Sequence, residues 1–178
     1  GNNFHHNYFG SYTYGATGII FRENKFNDNI QYGLDPHDDS NNFIVENNVV
    51  ERNGNHGIIF SKRCFNNIIA NNKSINNGLH GIMLHADSNY NIIRNNVVEN
   101  NTDGIAIYAS SGNLIENNMV KNSVSGIRLN EGSNKNLVLN NEIAESSKHG
   151  IYTYGNSNEN IFRSNKLTNN ANAMYIKT

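Results

Sequence analysis

The sequence of 178 residues contains one proline, one cysteine and no tryptophan, and charged residues make up only 16% of it. The single cysteine, Cys64, excludes a disulfide framework within the chain. Low charge and scarce proline argue against intrinsic disorder. The apolar runs are only a few residues long, so no segment is expected to insert into a membrane. The net charge of −1 argues against a protein that binds nucleic acid through phosphate contacts.

Asparagine is by contrast abundant, with 40 residues, and 15 glycines accompany it. Both residues are poor helix formers, and the common long aliphatic residue is isoleucine, which favours strands. The length gives room for one domain. We therefore expect residues 1–178 to form a single all-β domain, and we expect that domain to be part of a longer protein.

Two residue types recur with a common period of 22–24 residues. The glycine ladder, which Ala173 continues, consists of Gly10, Gly33, Gly57, Gly81, Gly104, Gly126 and Gly150. The asparagine ladder consists of Asn24, Asn48, Asn72, Asn96, Asn118, Asn141 and Asn165. An apolar pair precedes the ladder asparagines, as in Ile68-Ile69 before Asn72. Two independent ladders with one period indicate a repeat architecture.

The period selects among the repeat architectures. Helical repeats are longer, and leucine-rich repeats need Leu at fixed positions, whereas only eight Leu occur here. Short Ile and Val strands separated by Asn and Gly are typical of one coil of a parallel β-helix. The sequence thus predicts a right-handed, single-stranded parallel β-helix of about seven coils. Its turn asparagines are expected to hydrogen-bond along the stack and to accept left-handed backbone geometry.

Alternation along the strands divides the residues around each ladder glycine between two sides of a sheet. After five of the seven ladder glycines, from Gly33 to Gly126, the first and third residues are apolar and are expected in the core. The residue before the glycine, and the second and fourth after it, are expected on one outward face. This face would hold five of the seven His and six of the nine Tyr. Such a surface suits stacking on sugar rings and bonding to carboxylates, although Tyr and His also favour strand surfaces in general.

One segment of this face, Tyr32-Gly33-Leu34-Asp35-Pro36-His37-Asp38, contains the chain's single proline. Alternation places Tyr32, Asp35 and His37 outward and Leu34 and Pro36 inward. Proline is normally kept out of central strands. Its presence here suggests local geometry that fixes the flanking acid and base side chains, although a strand irregularity without a chemical role is the alternative.

This heptapeptide resembles the signature of the mannuronan C5-epimerases, which modify alginate. The resemblance continues through His56-Gly57-Ile58-Ile59-Phe60-Ser61-Lys62 and Asn101-Thr102-Asp103-Gly104-Ile105, and Tyr12-Thr13-Tyr14 fits the periplasmic-type members. It implies a β-helix that acts on a polymeric uronate outside the cytoplasm: secreted, periplasmic or at the cell surface. It also implies that Tyr and His of the motif lie at the reaction centre.

The chemistry of epimerisation gives the candidate residues their expected roles. Removal of the C5 proton, which is α to a carboxylate, needs a base, an acid on the opposite sugar face and a cation that neutralises the carboxylate. We assign Tyr32 and His37 as the acid/base pair and Asp35 as the residue that orients His37 or holds a neutral carboxyl. We expect His56 and His80 to assist, and Lys62 or Arg63 to neutralise the substrate. Further substrate contacts are expected from Tyr12, Tyr14, Ser61, His85, Tyr108, Arg128, Tyr152 and Tyr154.

Several alternatives stay open at this point. Secreted epimerase modules usually carry Arg-His-Gly where this chain has Leu79-His80-Gly81, and Lys62 replaces an Arg that follows the Ser in periplasmic-type members. A polyuronate lyase, or a glycan-binding module without catalysis, is therefore also compatible with the sequence. The histidines lack paired ligand spacing, so we expect no transition-metal site. The acidic pair Asp38-Asp39 is weak support for Ca²⁺, and the sequence requires no cofactor.

Overall fold

The computed structural model describes residues 1–177 as a stack of coils whose strands form three parallel sheets. Sheet I contains β2 (Ser11–Tyr14), β5 (Leu34–His37), β8 (Ile58–Ser61), β11 (His80–His85), β14 (Asp103–Tyr108), β17 (Ser125–Asn130), β20 (His149–Thr153) and β23 (Asn172–Ile176). Sheet II contains β3 (Ile20–Arg22), β6 (Ile44–Glu46), β9 (Ile68–Ala70), β12 (Ile92–Arg94), β15 (Leu114–Glu116), β18 (Leu137–Leu139) and β21 (Ile161–Arg163). Sheet III contains β1 (Asn3–His5), β4 (Lys25–Asn27), β7 (Val49–Glu51), β10 (Lys73–Ile75), β13 (Val97–Glu99), β16 (Met119–Lys121), β19 (Glu142–Ala144) and β22 (Lys166–Thr168).

Every strand pairs with the equivalent strand of the next coil, so the chain passes through sheets I, II and III in turn and then repeats. This arrangement confirms the predicted parallel β-solenoid of about seven coils. The register keeps equivalent residues in line: Met83 lies between Ile59 of the preceding coil and Ala106 of the following one. The part of the chain that the structure describes contains no helix long and apolar enough to cross a membrane.

The core is a column of apolar side chains inside the three sheets. The first and third residues after each ladder glycine point into it, as predicted, and Ile58, Phe60, Ile82 and Leu84 are fully buried. Sheets II and III each contribute the central residue of a three-residue strand, such as Ile69 and Val98. Burial of this continuous column, at about 25 cal/mol for each Å² of apolar surface, is the main force that holds the coils together.

Buried asparagines form hydrogen-bonded ladders at the corners between sheets. The side-chain oxygen of Asn72 accepts from the backbone N–H of Asn48 at 3.0 Å and from its side-chain amide at 2.9 Å, and Asn72 Nδ2 donates to the Val45 carbonyl at 2.8 Å. The predicted bonding along the stack is therefore confirmed. The left-handed backbone, however, belongs to the residue before the ladder asparagine, for example Asn47 and Asn71, both with φ of 56°. Hydrogen bonding and left-handed geometry are thus divided between two adjacent residues.

Two further asparagine ladders, which the sequence pattern did not single out, occupy the other two corners. One consists of Asn29, Asn53, Asn77 and Asn101, and the other of Asn67, Asn91, Asn113, Asn136 and Asn160. The ladder glycines adjoin these corners at the start of each sheet I strand. A Cβ atom at Gly81 would lie 2.4 Å from Val98 and 2.8 Å from the Gly104 carbonyl oxygen, so only glycine fits there.

Candidate functional site

The outward face of sheet I is a trough that runs along the axis of the solenoid. Its floor is the central outward row, in which Ile59, Met83 and Ala106 point away from the core yet are only 4%, 7% and 0% exposed. They are buried because the taller side chains of the two flanking rows, among them Tyr32 and Tyr108, pack against them. The predicted outward face is therefore concave, with an apolar floor and polar walls.

Around the predicted motif the trough forms a cavity of about 230 Å³. The residues that line this cavity are Tyr32, His37, His56, Ile59, Ser61, Lys62, Met83 and His85. Four of the six predicted catalytic residues are thus brought together around one space, with Tyr32 on one wall and His37 on the other. The two remaining predicted catalytic residues, Asp35 and His80, are not among the residues that line the cavity.

The His37 ring is fixed by Asp38. Its Nδ1 atom pairs with the Asp38 carboxylate. Burial opposes the charge on Asp38, but the hydrogen bond and charge of His37, together with Lys62 and Arg63, outweigh it and lower the pKa of Asp38. An ionised carboxylate can only accept, so Nδ1 of His37 carries the proton. In the neutral ring, Nε2 is then left with the lone pair that a general base needs.

Sequence alternation pointed to Asp35 as the orienting residue because it placed Asp35 on the same face as His37. In the structure β5 ends at His37, and left-handed backbone at Asp38 (φ 37°) and Asp39 (φ 61°) turns the chain at once. This turn brings the Asp38 carboxylate back to the imidazole. The signal that could have found Asp38 is the Asp-Asp pair itself, since Asp tolerates left-handed geometry.

Arg63 and Lys62 have different surroundings. The Arg63 guanidinium forms a fork with Asp39, from Nε at 3.0 Å and Nη2 at 2.9 Å, and Nη2 also donates to Asp38 at 3.0 Å. Lys62 lines the cavity. Of the two cations proposed to neutralise the substrate, Lys62 is therefore the one placed to meet it, and Arg63 supports the acidic pair that holds His37.

The Asp35 side chain is only 2% exposed and belongs to the central outward row of the trough, in register with Tyr12, although it is not among the residues that line the cavity. Its Oδ1 atom is buried and has no hydrogen-bond partner among the described residues. Burial raises the pKa of Asp35 to about 6, against the opposing effects of the His37 charge and the Ser61 hydroxyl. A carboxyl with this pKa holds its proton more readily than an ordinary Asp, although it is mostly ionised at neutral pH.

A column of stacked rings forms one wall of the trough. Tyr32 stacks on His56 with ring centroids 5.2 Å apart, and His56 stacks on His80 at 4.9 Å. Desolvation is the main cause that lowers the pKa of His56 to about 4 and that of His80 to about 3. Desolvation also raises the pKa of Tyr32, with the Asp35 charge adding to it. At neutral pH the column therefore holds two uncharged imidazoles and a protonated phenol.

The far side of His80 contacts a charged pair that sequence reasoning did not identify as a unit. Arg128 Nη2 lies 3.1 Å from His80 Nε2, and because guanidinium can only donate, this nitrogen accepts. The Asp103 carboxylate lies 3.2 Å from His80 Nδ1 and 3.0 Å from Arg128 Nε, although neither approach is aligned as a hydrogen bond. Arg128 Nη1 also donates to the Tyr154 hydroxyl at 3.3 Å.

The other predicted substrate-binding residues follow the trough in both directions from the cavity. Tyr12 and Tyr14 are exposed on β2, and the Tyr12 ring lies 5.6 Å from that of His37. His85 stacks on Tyr108 at 4.9 Å, which continues the second wall, and Tyr152 and Tyr154 lie on β20. Ser61 is buried in the cavity lining. All of these residues share the one face.

Comparison with known proteins shows which family this chain belongs to. A family model described as "Right handed beta helix region" matches residues 1–98, and one described as "Periplasmic copper-binding protein (NosD)" matches residues 62–178. The chain therefore belongs to the right-handed β-helix proteins, and residues 62–178 belong within the NosD family. The predicted hand of the solenoid is confirmed.

Within this class the relatives are mannuronan C5-epimerases, which confirms the family that the sequence resembles. Mannuronan C5-epimerase AlgG of Azotobacter vinelandii is 37% identical over 170 residues, 94% of this chain and 28% of the relative. A mannuronan C5-epimerase of Pseudomonas putida is 37% identical over 177 residues, 98% of this chain and 30% of the relative. The crystal structure of the periplasmic alginate epimerase AlgG superposes with a TM-score of 0.82 at 28% identity, covering 97% of this chain and 49% of that one. The chain thus spans less than a third of the length of these two relatives. The description "periplasmic", which both the AlgG structure and the NosD family carry, confirms the predicted location outside the cytoplasm.

The donor set of this chain does not fit the copper in the NosD description. Residues 1–177 contain no group of three or more His, Cys, Asp or Glu side chains that could hold one metal ion. The His56 and His80 rings are stacked face to face, and His80 Nε2 accepts from Arg128. Burial raises the pKa of the Cys64 thiol to about 11, whereas a metal needs the thiolate. We therefore assign no step to copper.

Proposed function

We propose that this chain forms the catalytic β-helix of a mannuronan C5-epimerase, which converts β-D-mannuronate to α-L-guluronate within a polymer. The observation that carries the proposal is the cavity in which Tyr32 and His37 face each other across the trough with Lys62 beside them. Epimerisation needs two proton-transfer groups on opposite faces of one sugar ring, and this cavity provides them. The substrate class is an anionic polysaccharide, an alginate-like polyuronate.

His37 is the proposed base. Its Nδ1 proton is committed to Asp38, so Nε2 can take the C5 proton, and Asp38 stabilises the imidazolium that forms. Asp38 is a positioning residue in this scheme, because it contacts His37 and not the sugar. The fork between Arg63 and the acidic pair keeps Asp38 in place and ionised.

Tyr32 is the proposed acid. Its raised pKa keeps the phenol protonated at neutral pH, and its position on the opposite wall allows it to deliver a proton to the other face of C5. Stacking on His56 holds the ring upright over the floor. The apolar floor of Ile59 and Met83 excludes water from beneath the sugar, which strengthens every charge interaction in the cavity.

Lys62 is proposed to neutralise the substrate carboxylate, without which the enediolate intermediate would carry two negative charges. Asp35, with its raised pKa, contributes a carboxyl that can be neutral next to the sugar acid. His56 and His80 assist by supporting Tyr32 through the ring column. No metal or organic cofactor is needed for these steps.

Proton NMR of polymannuronate incubated with the protein tests this proposal. Guluronate signals are expected to appear, together with exchange of H5 into D₂O. Tyr32→Phe and His37→Gln are expected to abolish both. Unsaturated chain ends would instead show a lyase, in which the intermediate expels the C4 oxygen. Bound polymer without either product would show a glycan-binding module, as the departure at Leu79 would then suggest.

A further inference from the structure

The outward face of sheet II has no role in the proposed mechanism, yet it carries a continuous row of apolar side chains. The first residue of each strand in this sheet points outward, because the central residue points into the core. Ile20 and Ile161 are each 53% exposed, and Leu137 is 37% exposed. Parallel pairing keeps the first residues in line from coil to coil. This aliphatic row consists of Ile20, Ile44, Ile68, Ile92, Leu114, Leu137 and Ile161.

A strand face that only meets water does not need an aliphatic residue at every one of these positions. The equivalent first positions of sheet III are of mixed character and include Lys25, Lys73 and Lys166. Exposed aromatic side chains also adjoin the aliphatic row. Phe65 is 39% exposed and Tyr90 is 69% exposed, in the segments that lead into β9 and β12. A contiguous apolar surface of this kind indicates a site that another molecule covers.

The third residues of the same strands form a second outward row, in which charge follows a regular order. Along the solenoid the order is cation, anion, apolar, repeated twice and followed by a cation. Arg22 pairs with Glu46 at 2.6 Å. Arg94 and Glu116 lie in register on adjacent strands, but they form no ion pair within residues 1–177. This charged row consists of Arg22, Glu46, Ala70, Arg94, Glu116, Leu139 and Arg163.

We propose that the outward face of sheet II binds a second copy of this chain in a dimer with two-fold symmetry. An axis parallel to the strands places each row against the same row of the partner, with the order of the coils reversed. In one register, which engages the strands from β6 to β21, opposite charges and apolar residues match throughout. Its pairs are Arg94 with the partner's Glu116, Glu46 with the partner's Arg163, and Ala70 with the partner's Leu139.

The order of charge is what commits this face to a copy of itself. A shift by one coil in one direction would place Arg94 opposite the partner's Arg94, and a shift in the other would place Glu116 opposite the partner's Glu116. Like charges that meet directly disfavour both shifts. The matched register also places aliphatic row on aliphatic row, so the same contact buries the apolar surface. A surface that complements itself under a two-fold axis is the requirement for a symmetric dimer.

The small size of the face sets the expected strength of the dimer. Six coils of about 4.8 Å span about 29 Å, and three residues of about 3.3 Å span about 10 Å. Two such faces bury less surface than a standard interface, so we expect a weak dimer with a Kd between about 10 µM and about 1 mM. Sheet I forms a different side of the solenoid, so the trough stays open in both copies.

Sedimentation velocity of the whole 178-residue chain, from about 10 µM to about 1 mM, tests the proposal. The wild-type protein is expected to change from monomer to dimer over this range. Arg94→Glu and Glu116→Arg are each expected to remain monomeric, because like charges then meet on both sides of the axis. An equimolar mixture of the two variants is expected to dimerise, because opposite charges meet again. Lys73→Glu, a charge reversal on sheet III, is the matched control and should behave as wild type.

Circular dichroism establishes that each variant is folded, so that every outcome can be interpreted. A wild-type protein that stays monomeric at about 1 mM would overturn the proposal and assign the face to a partner of different chemistry. A dimer that persists unchanged in both single variants would overturn it as well, since it would use another surface. Folded variants whose mixture fails to dimerise would contradict the register. The measurement uses no polysaccharide, so its result is independent of the proposed function.

Discussion

At the scale of single residues, the site depends on which polar groups are already engaged by neighbours. Arg63 is nearly as close to the motif in sequence as Lys62, yet its guanidinium is bound to Asp38 and Asp39. Asp35 has the expected outward position in the motif, but its side chain is buried and its charge is disfavoured there. The two proposed roles, neutralising the substrate and orienting the base, therefore fall to Lys62 and Asp38.

The first prediction concerns Lys62. Lys62→Ala is expected to lower kcat/KM on polymannuronate by about 10- to 100-fold, because a charged hydrogen bond is worth about 1.5–3 kcal/mol. Lys62→Arg should retain most of the activity. Steady-state kinetics by NMR integration of guluronate measures both. Lys73→Ala, at an exposed position on sheet III, is the control and should behave as wild type. A Lys62→Ala enzyme with unchanged kcat/KM would remove Lys62 from the mechanism.

The second prediction concerns the pH dependence of stability. The pKa of Asp35 is raised from 3.8 in the unfolded chain to about 6 in the folded one, so the folded state binds more protons between these values. Stability from this group is therefore present below pH 4 and is lost as pH rises through about 6. Asp35→Asn should raise the free energy of unfolding at pH 8 by on the order of 2 kcal/mol and change it little at pH 4. Denaturant titrations at the two pH values measure this, and a gain of equal size at both would contradict the assignment.

At the scale of structural elements, the strands and corners explain which side-chain positions could be predicted from the sequence and which could not. The alternation around each ladder glycine correctly placed Ile58 and Phe60 in the core, because a period of two leaves little freedom in a short strand. The same rule could not place Asp38, because the strand ends one residue earlier and the backbone turns left-handed. Concavity was also not foreseeable, since it depends on how tall side chains such as Tyr108 lean over Met83 and Ala106.

The third prediction tests a corner. Asn72→Ala removes the acceptor for the buried N–H of Asn48 and the donor to the Val45 carbonyl. We expect the free energy of unfolding to fall by about 2–4 kcal/mol, since buried groups without partners cost about 1–3 kcal/mol each. Chemical denaturation followed by circular dichroism measures the loss. Asn3→Ala, at an exposed position of β1, should change stability by less than about 0.5 kcal/mol. Equal effects of the two substitutions would show that the asparagine ladder contributes no more to stability than an exposed asparagine does.

At the scale of the whole molecule, the solenoid places the residues proposed for catalysis and binding on one face, the outward face of sheet I. Equivalent residues recur once for each coil, so neighbouring side chains on this face come from positions about 24 residues apart in the chain, such as His37, Ser61 and His85. This explains why the repeat predicted the shared outward face as well as the fold. The Asp103–Arg128 pair, which spans two coils, is the part that only the three-dimensional structure reveals.

The fourth prediction concerns metals. Because the carboxylates of Asp38 and Asp39 contact Arg63, and because the trough relies on Lys62 for positive charge, we expect activity and melting temperature to be insensitive to EDTA. Guluronate formation and thermal unfolding are measured before chelation, after chelation, and again after Ca²⁺ is added back. Loss of activity on chelation that Ca²⁺ restores would establish the calcium dependence that the acidic pair suggested in sequence.

The equal height of the coils has a consequence for how such proteins can change over generations. Each asparagine corner closes its own coil with bonds to the adjacent one, so duplication of a single 24-residue unit would insert a complete coil without new corner chemistry. Inserted between β14 and β17, such a unit would move the rings of β20 away from the Tyr32–His37 cavity by the height of one coil. The length of this outward face would then be heritable as a number of copies, independent of the residues that line the cavity.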